Sequence, residues 1–300
     1  MCQAPSIMVH RFLGCTLFAC ALFPLAAQEA FQLNELNAKR ITIAKGAYFP
    51  RLVQAGNGDL LAFFKTGAAH IGKSGRASMA RSVDGGETWS APQVVFDRPN
   101  ADDGIIATGV LPGGVILAAA VSYTWSSERY SFDGWHADMW LIRSGDHGKT
   151  WSEPRPIAVA PYEWAYPFGH ILPLADRSLL LTAYAGQLPM SRERENVVIA
   201  LHSSDEGQTW AAPSVMARGY NEVSAALRRD GSILAVVRSS VGGHLASTTS
   251  RDGGRHWTPP GRITENNEHP GDLLRLRNGG LLLTFGQRNK PFGVQAMLSR

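Results

Sequence analysis

The 300-residue chain has only three cysteines, Cys2, Cys15 and Cys20, and none beyond its first twenty residues. Past that segment there is no thiol nucleophile, no disulfide framework and no thiolate metal site. Charge is sparse as well, at 18% of residues, and the lysines and arginines are scattered without runs. The net charge of +4 therefore forms no basic stripe of the kind that reads nucleic acid. No segment sustains a helical apolar period. There is no Gly-rich phosphate loop, no serine nucleophile elbow and no His/Asp/Glu spacing of a zinc or EF-hand site, so neither cofactor nor metal is expected.

Long apolar runs are confined to Phe12–Leu25, which is too short to span a bilayer comfortably. Arg11 precedes it and the small-residue site Leu25-Ala26-Ala27 follows, the pattern of a secretory signal peptide. Residues 1–27 are expected to be a leader, with a mature secreted or periplasmic chain starting at Gln28 and no membrane association after cleavage. No Gly/Ser linker or charge block divides the remainder, so 28–300 reads as one domain.

What the chain does have is one pattern four times over, at a spacing of about 50 to 60 residues. The copies run Ser82 to Trp89, Ser144 to Trp151, Ser203 to Trp210 and Ser250 to Trp257, each Ser-x-Asp-x-Gly-x-Thr-Trp except that His256 replaces the last Thr. The physical content is a turn: Asp bonds backbone amides ahead of it, Gly takes a positive φ, and Trp covers the result. A second repeat precedes the first. Turns at Gly58, Gly113, Arg177, Gly231 and Gly279 each lead into an apolar run, predicting hairpins between an inner strand and its outer neighbour. Each hairpin with the Ser-to-Trp turn after it makes one four-stranded unit of an all-β fold.

The pattern Ser-x-Asp-x-Gly-x-Thr-Trp resembles the Asp-box of the sialidase superfamily, whose members are six-bladed β-propellers. Five blades begin in this chain, and Ser299-Arg300 matches the opening of a fifth box, so the expected architecture is a six-bladed propeller whose sequence stops within its fifth blade. The resemblance implies an exo-α-sialidase-like glycoside hydrolase acting on a glycan, with function at the axial pit and the boxes structural. Asn221-Glu222-Val223-Ser224 followed by Arg238 resembles the segment whose Glu polarises a tyrosine nucleophile and whose Arg binds the substrate carboxylate. Arg288 in Phe285-Gly286-Gln287-Arg288 is similar to another member of the arginine triad. Arginine suits the task because its planar fork binds a carboxylate through two bonds and stays charged.

The first triad position departs from the family. An Arg-Ile-Pro order is expected, and the chain has Phe49-Pro50-Arg51, a shift that on a strand changes the face presented. Arg51 is the candidate there, and the Pro-Arg order leaves open another exo-glycosidase of the same fold, such as an exo-arabinanase. The family's acid/base aspartate is missing from residues 65–81, which contain no acidic residue; Asp103, beside Asp102 in an expected loop entering the second blade, is the substitute. Tyr123 and Tyr184 are sugar-stacking candidates. His70, Asp133, His136, His170, His269 and Asp272 are further polar groups able to reach the pit. The family's nucleophilic tyrosine would follow residue 300. A non-catalytic carbohydrate-binding propeller is the reading outside enzymes.

Overall fold

The computed structural model describes residues 39–189 and 195–299, and the backbone of residues 9–11. Apart from those three residues, the expected leader lies outside the described residues. Every regular element described is a strand. The first, β1 (Val9–Arg11), runs parallel to the last. Then β2 (Tyr48–Gln54), β3 (Leu60–Thr66), β4 (Arg76–Ser82) and β5 (Gln93–Phe96) form one antiparallel blade. The second blade is β6 (Asp102–Val110), β7 (Ile116–Thr124), β8 (His136–Ser144) and β9 (Arg155–Ile157); the third is β10 (Trp164–Pro173), β11 (Leu179–Gly186), β12 (Val197–Ser203) and β13 (Ser214–Arg218). β14 (Tyr220–Leu227), β15 (Ile233–Ser239), β16 (Leu245–Ser250) and β17 (Gly261–Arg262) make the fourth, and β18 (Glu268–Arg275), β19 (Leu281–Gln287) and β20 (Gly293–Ser299) the fifth, with β1 on its outer edge.

Blade faces pack on one another, so the core lies between successive blades, while Leu52 of the first blade and Leu274 and Val294 of the fifth stay exposed. Leu61, Phe63 and Met79 of the first blade meet Ile116, Ala118 and Ile142 of the second, and an equivalent cluster joins each later pair. Each fully buried side chain such as Phe63 or Leu61 contributes about 2 to 3 kcal/mol of apolar transfer. The inner strands crowd at the axis. β6 and β10 pair in parallel through Ala107 and Thr108 with Gly169 and His170, fusing the second and third blades into one eight-stranded sheet. Gly169 (φ +87°) permits the next approach, because a Cβ there would fall 2.6 Å from the Val223 carbonyl oxygen of β14.

All five hairpin turns fall where the sequence places them, with left-handed φ at Gly58, Arg177, Gly231 and Gly279; in the second hairpin that residue is Gly114 rather than Gly113. The four Ser-to-Trp turns join the third and fourth strands of their blades. In the first, Ser82 Oγ donates to Asp84 Oδ1 (2.7 Å) and accepts from Gly86 N–H (2.8 Å). Asp84 in turn accepts from the Thr88 amide (2.9 Å) and hydroxyl (2.5 Å). These bonds, the Thr88 hydroxyl foremost, hold the Asp84 carboxyl well below the usual carboxylate range. In the fourth turn His256 does the work of Thr, its ring Nδ1 lying 2.6 Å from Asp252 Oδ2.

These turns also link blades. The residue before each repeat Ser reaches the carbonyl three positions after the Ser of the next blade: Arg81 donates to His147 O, Arg143 to Glu206 O and His202 to Gly253 O, each at 2.8 Å. One local motif thus supplies both a turn and an inter-blade clasp.

Two expectations are corrected. Asp102 and Asp103 are not in a loop but open the inner strand β6, opposite Tyr123 and Ser122 of β7. Arg51 keeps a pit-facing position despite the shifted Pro-Arg order, because β2 carries a bulge between Tyr48 and Arg51 with Phe49 at φ +54°, and a bulge restores the face that a one-residue shift would lose.

Candidate active site

At one end of the axis the starts of the inner strands meet the ends of the second strands. Register pairs put Asp102 opposite Tyr123, Tyr166 opposite Tyr184, Tyr220 opposite Ser239, and Glu268 opposite Gln287. Between them is a cavity of about 110 Å³ lined by Asp102, Asp103, Tyr123, Tyr166, Tyr184 and Glu222, with Phe49, His70 and Phe168 at its sides. Tyr166 stacks on Tyr184 (centroids 5.1 Å) and lies 5.3 Å from Tyr123, so the two tyrosines read from sequence are tied together by one that was not. Burial pushes all three phenols above their ordinary pKa. The period-two run Trp164, Tyr166, Phe168 was the available signal for Tyr166, since alternate residues share a strand face.

Glu222 and Arg238 meet across the β14–β15 hairpin, with Arg238 Nη1 donating to Glu222 Oε2 at 2.9 Å. Their side chains are 24% and 29% exposed, so the pair is open to a ligand. Arg238 Nε is buried without a hydrogen-bond partner among the described residues. Arg288 follows β19 and donates its Nε to His269 O (3.2 Å). His269 is buried near both arginines; burial, then Arg238 and Arg288, push its pKa down to about 4, so its imidazole is neutral at physiological pH.

Arg51 belongs to a second cluster next to the first. Its Nε donates to Ile106 O (2.8 Å), its guanidinium lies 4.8 Å from the Phe168 ring centroid, and Nη1 is 3.9 Å from Asp272 Oδ1. Asp272 also accepts from His170 Nε2–H (3.1 Å) and Ser224 Oγ–H (2.9 Å). Burial alone would raise the Asp272 pKa, but the His170 hydrogen bond and the His170 and Arg51 charges outweigh it and hold the carboxyl below its ordinary value. The inner strands of the first, third, fourth and fifth blades thus share one polar network, in which the Asp272 side chain is 44% exposed.

The paired aspartates differ in environment. Asp102 sits against the Lys65 ammonium (2.5 Å) and accepts from Gly72 N–H (2.8 Å), which anchors the segment carrying His70. Asp103 accepts from Arg98 N–H at 2.5 Å and, among the described residues, is in no ion pair. Burial pushes Asp103 up to about 6. A carboxyl with that pKa can hold a proton in mildly acidic solution and deliver it. His136 is not brought in: it pairs with Asp138 on the outer part of the second blade, and Asp133 lies in the β7–β8 loop. Among the described residues no group of three or more His, Cys, Asp or Glu is placed to hold a metal ion.

Blades packed around an axis, with guanidinium and carboxylate groups converging at one end of it, define a sialidase-like β-propeller. The chain belongs to the family of BNR repeat-like domains, whose model matches residues 32–167 and again 124–299. A curated sialidase of Bacteroides fragilis (strain YCH46) is 25% identical over 234 residues, 70% of this chain and 42% of that protein; the chain spans less than half the length of this relative. Among solved structures, a protein of unknown function from Dyadobacter fermentans DSM 18053 superimposes with a TM-score of 0.74 at 23% identity, covering 85% of this chain and 79% of that one. The Hadza microbial sialidase Hz136 gives 0.68 at 19% identity, over 85% of this chain and 56% of that one. At these identities the likeness is one of fold.

Proposed function

We propose that this chain is the propeller of an exported glycoside hydrolase of the exo-α-sialidase kind, removing a terminal acidic sugar from a glycan. The observation that carries the reading is Glu222, paired with Arg238, on the wall of the cavity that Asp103 also lines. In this reading Arg238, Arg288 and Arg51 hold the sugar carboxylate, a planar anion matched to guanidinium forks. Asp103, protonated below about pH 6, gives its proton to the glycosidic oxygen as the bond to the anomeric carbon breaks. Glu222 draws the proton from the attacking group, and Tyr123 and Tyr184 wall the sugar. Export rests on the leader-like pattern at residues 1–27.

Hydrolysis of a fluorogenic α-sialoside by the protein and by its Glu222→Gln variant tests this reading. Turnover that falls at least about a hundredfold in the variant supports it. Saturable glycan binding without turnover would make the domain a binding propeller instead. A second enzyme reading, an exo-glycosidase for neutral sugars such as arabinan, is favoured by Arg51, whose Nε is committed to a carbonyl and whose charge is partly matched by Asp272. Activity on a neutral glycoside that survives Arg238→Ala would select it.

A further inference from the structure

Where the fourth blade meets the fifth, Arg238 Nε and His269 Nδ1 are both buried and both lack a hydrogen-bond partner among the described residues. His269, at the start of β18, is only 4% exposed, so bulk water does not serve its ring. A buried polar group without a partner is costly to keep, and one that persists calls for a reason.

The ring's neighbours fix where Nδ1 points. Gly243 (φ +59°), in the turn between β15 and β16, lies against the Cδ2–Nε2 edge, since a Cβ there would fall 2.6 Å from Cδ2 and 2.7 Å from Nε2. Nδ1 is the ring vertex opposite that edge, so it faces away from the turn. The backbone of the same residue holds the second arginine, His269 O accepting from Arg288 Nε–H at 3.2 Å. Arg238 spends Nη1 on Glu222, and Arg288 spends only Nε, so both guanidinium groups keep donors to spare among the described residues.

No acid pairs with the imidazole among the described residues. Glu222 is bonded to Arg238, and the Glu268 oxygens accept from Gln287 Nε2–H (3.0 Å) and Glu265 N–H (2.8 Å). Asp272, further along β18, serves His170 and Ser224. His244, in the same turn as Gly243, likewise carries a buried Nδ1 without a partner and brings no negative charge. Burial first, then Arg238 and Arg288, therefore push the His269 pKa down to about 4. An anion seated among these groups offsets the two guanidinium charges and supplies an acceptor, and both effects favour the protonated ring.

We propose that His269 is a third ligand-binding residue of the carboxylate site, donating Nδ1–H to the anion held by Arg238 and Arg288 and taking up a proton as that anion binds. The proposal rests on the reading of those two arginines as carboxylate-binding. His269 then selects a charged ligand over a neutral isostere, because only the anion draws the proton in.

Calorimetric titration with the 2,3-didehydro analogue of sialic acid, in buffers of different ionisation enthalpy, counts the protons taken up with the ligand. At pH 5 the count isolates His269, because Asp103, pushed up to about 6, is already mostly protonated there while His269 is not. The expected result is uptake of at least about half a proton per ligand, with affinity about tenfold higher at pH 5 than at pH 7. His269→Asn, whose amide N–H replaces Nδ1–H, should bind at pH 7 within about threefold of wild type and take up no proton at pH 5; His269→Ala should lose about tenfold in affinity at pH 7. The methyl ester of the analogue, which has no negative charge, should show neither the uptake nor the loss. Binding without proton uptake, uptake undiminished in His269→Asn, or equal affinity in His269→Ala overturns the proposal. Absence of binding by the folded wild type overturns it together with the carboxylate reading. Proton-linked binding that depends on His269, in a protein that turns over no sialoside, sustains the assignment and overturns the hydrolase reading instead.

Discussion

Asp103→Asn isolates the carboxyl that the proposed chemistry needs in its protonated form. Its pKa rises from 3.8 to about 6 because burial penalises the anion. Between those values the folded protein keeps a proton that the unfolded chain has already released. Its contribution to stability is therefore full below about pH 4 and is lost as the pH rises through 6, then stays constant. A gap of roughly two pKa units corresponds to about 3 kcal/mol. Asn cannot ionise, yet its amide oxygen still accepts from Arg98 N–H, so the substitution removes the titration and keeps the local bond. Urea unfolding followed by tryptophan fluorescence, at intervals from pH 4 to pH 8, should show the variant gaining about 3 kcal/mol on the wild type between pH 4 and pH 7 and nothing further above. A difference independent of pH would refute the reasoning, since it would mean Asp103 titrates like a solvated carboxyl. Turnover has the same origin: wild-type hydrolysis should fall about tenfold for each pH unit above 6 as the proton donor is depleted, and Asp103→Asn should abolish it.

Other consequences reach the fold. Gly169→Ala should destabilise by about 3 kcal/mol or more, because both the φ of +87° and the Val223 carbonyl exclude a Cβ; an unchanged Tm would contradict the close approach of the third and fourth blades. Ser224→Ala removes the hydroxyl that serves Asp272 and the buried Leu273 amide, and should cost about 1 to 2 kcal/mol, read as a Tm lower by a few degrees. His256→Thr restores the residue of the other three turns at a side chain 90% exposed, and Tm should stay within about a degree of wild type; a large change would mean that His256 does more than close its turn.

Much of this architecture is legible in sequence because its determinants are local. A Ser-x-Asp-x-Gly-x-Thr-Trp turn closes on itself within eight residues, and the hairpin glycines announce their own φ, so blade order and strand count follow. Glu222 and Arg238 were readable for the same reason, as neighbours across one hairpin. The rest depends on partners distant in sequence. Asp272 meets His170 across 102 residues and Ser224 across 48, and neither contact leaves a trace in local spacing. The facing of Arg51 turns on the bulge at Phe49, a non-glycine residue at positive φ that no pattern foretells. The different roles of Asp102 and Asp103 come from Lys65, on a strand of another blade. The inter-blade clasps lay in plain view as the residue before each repeat Ser, but only the packing of successive blades gives that position a meaning.

The central claim is that the pit binds a sugar carboxylate through Arg238 beside Glu222. Calorimetric titration of the protein and of Arg238→Ala with the 2,3-didehydro analogue of sialic acid measures this without requiring turnover. Saturable binding by the wild type, weakened about a hundredfold in the variant, is the predicted result; no binding by the folded wild type, or equal affinity in both, would contradict it.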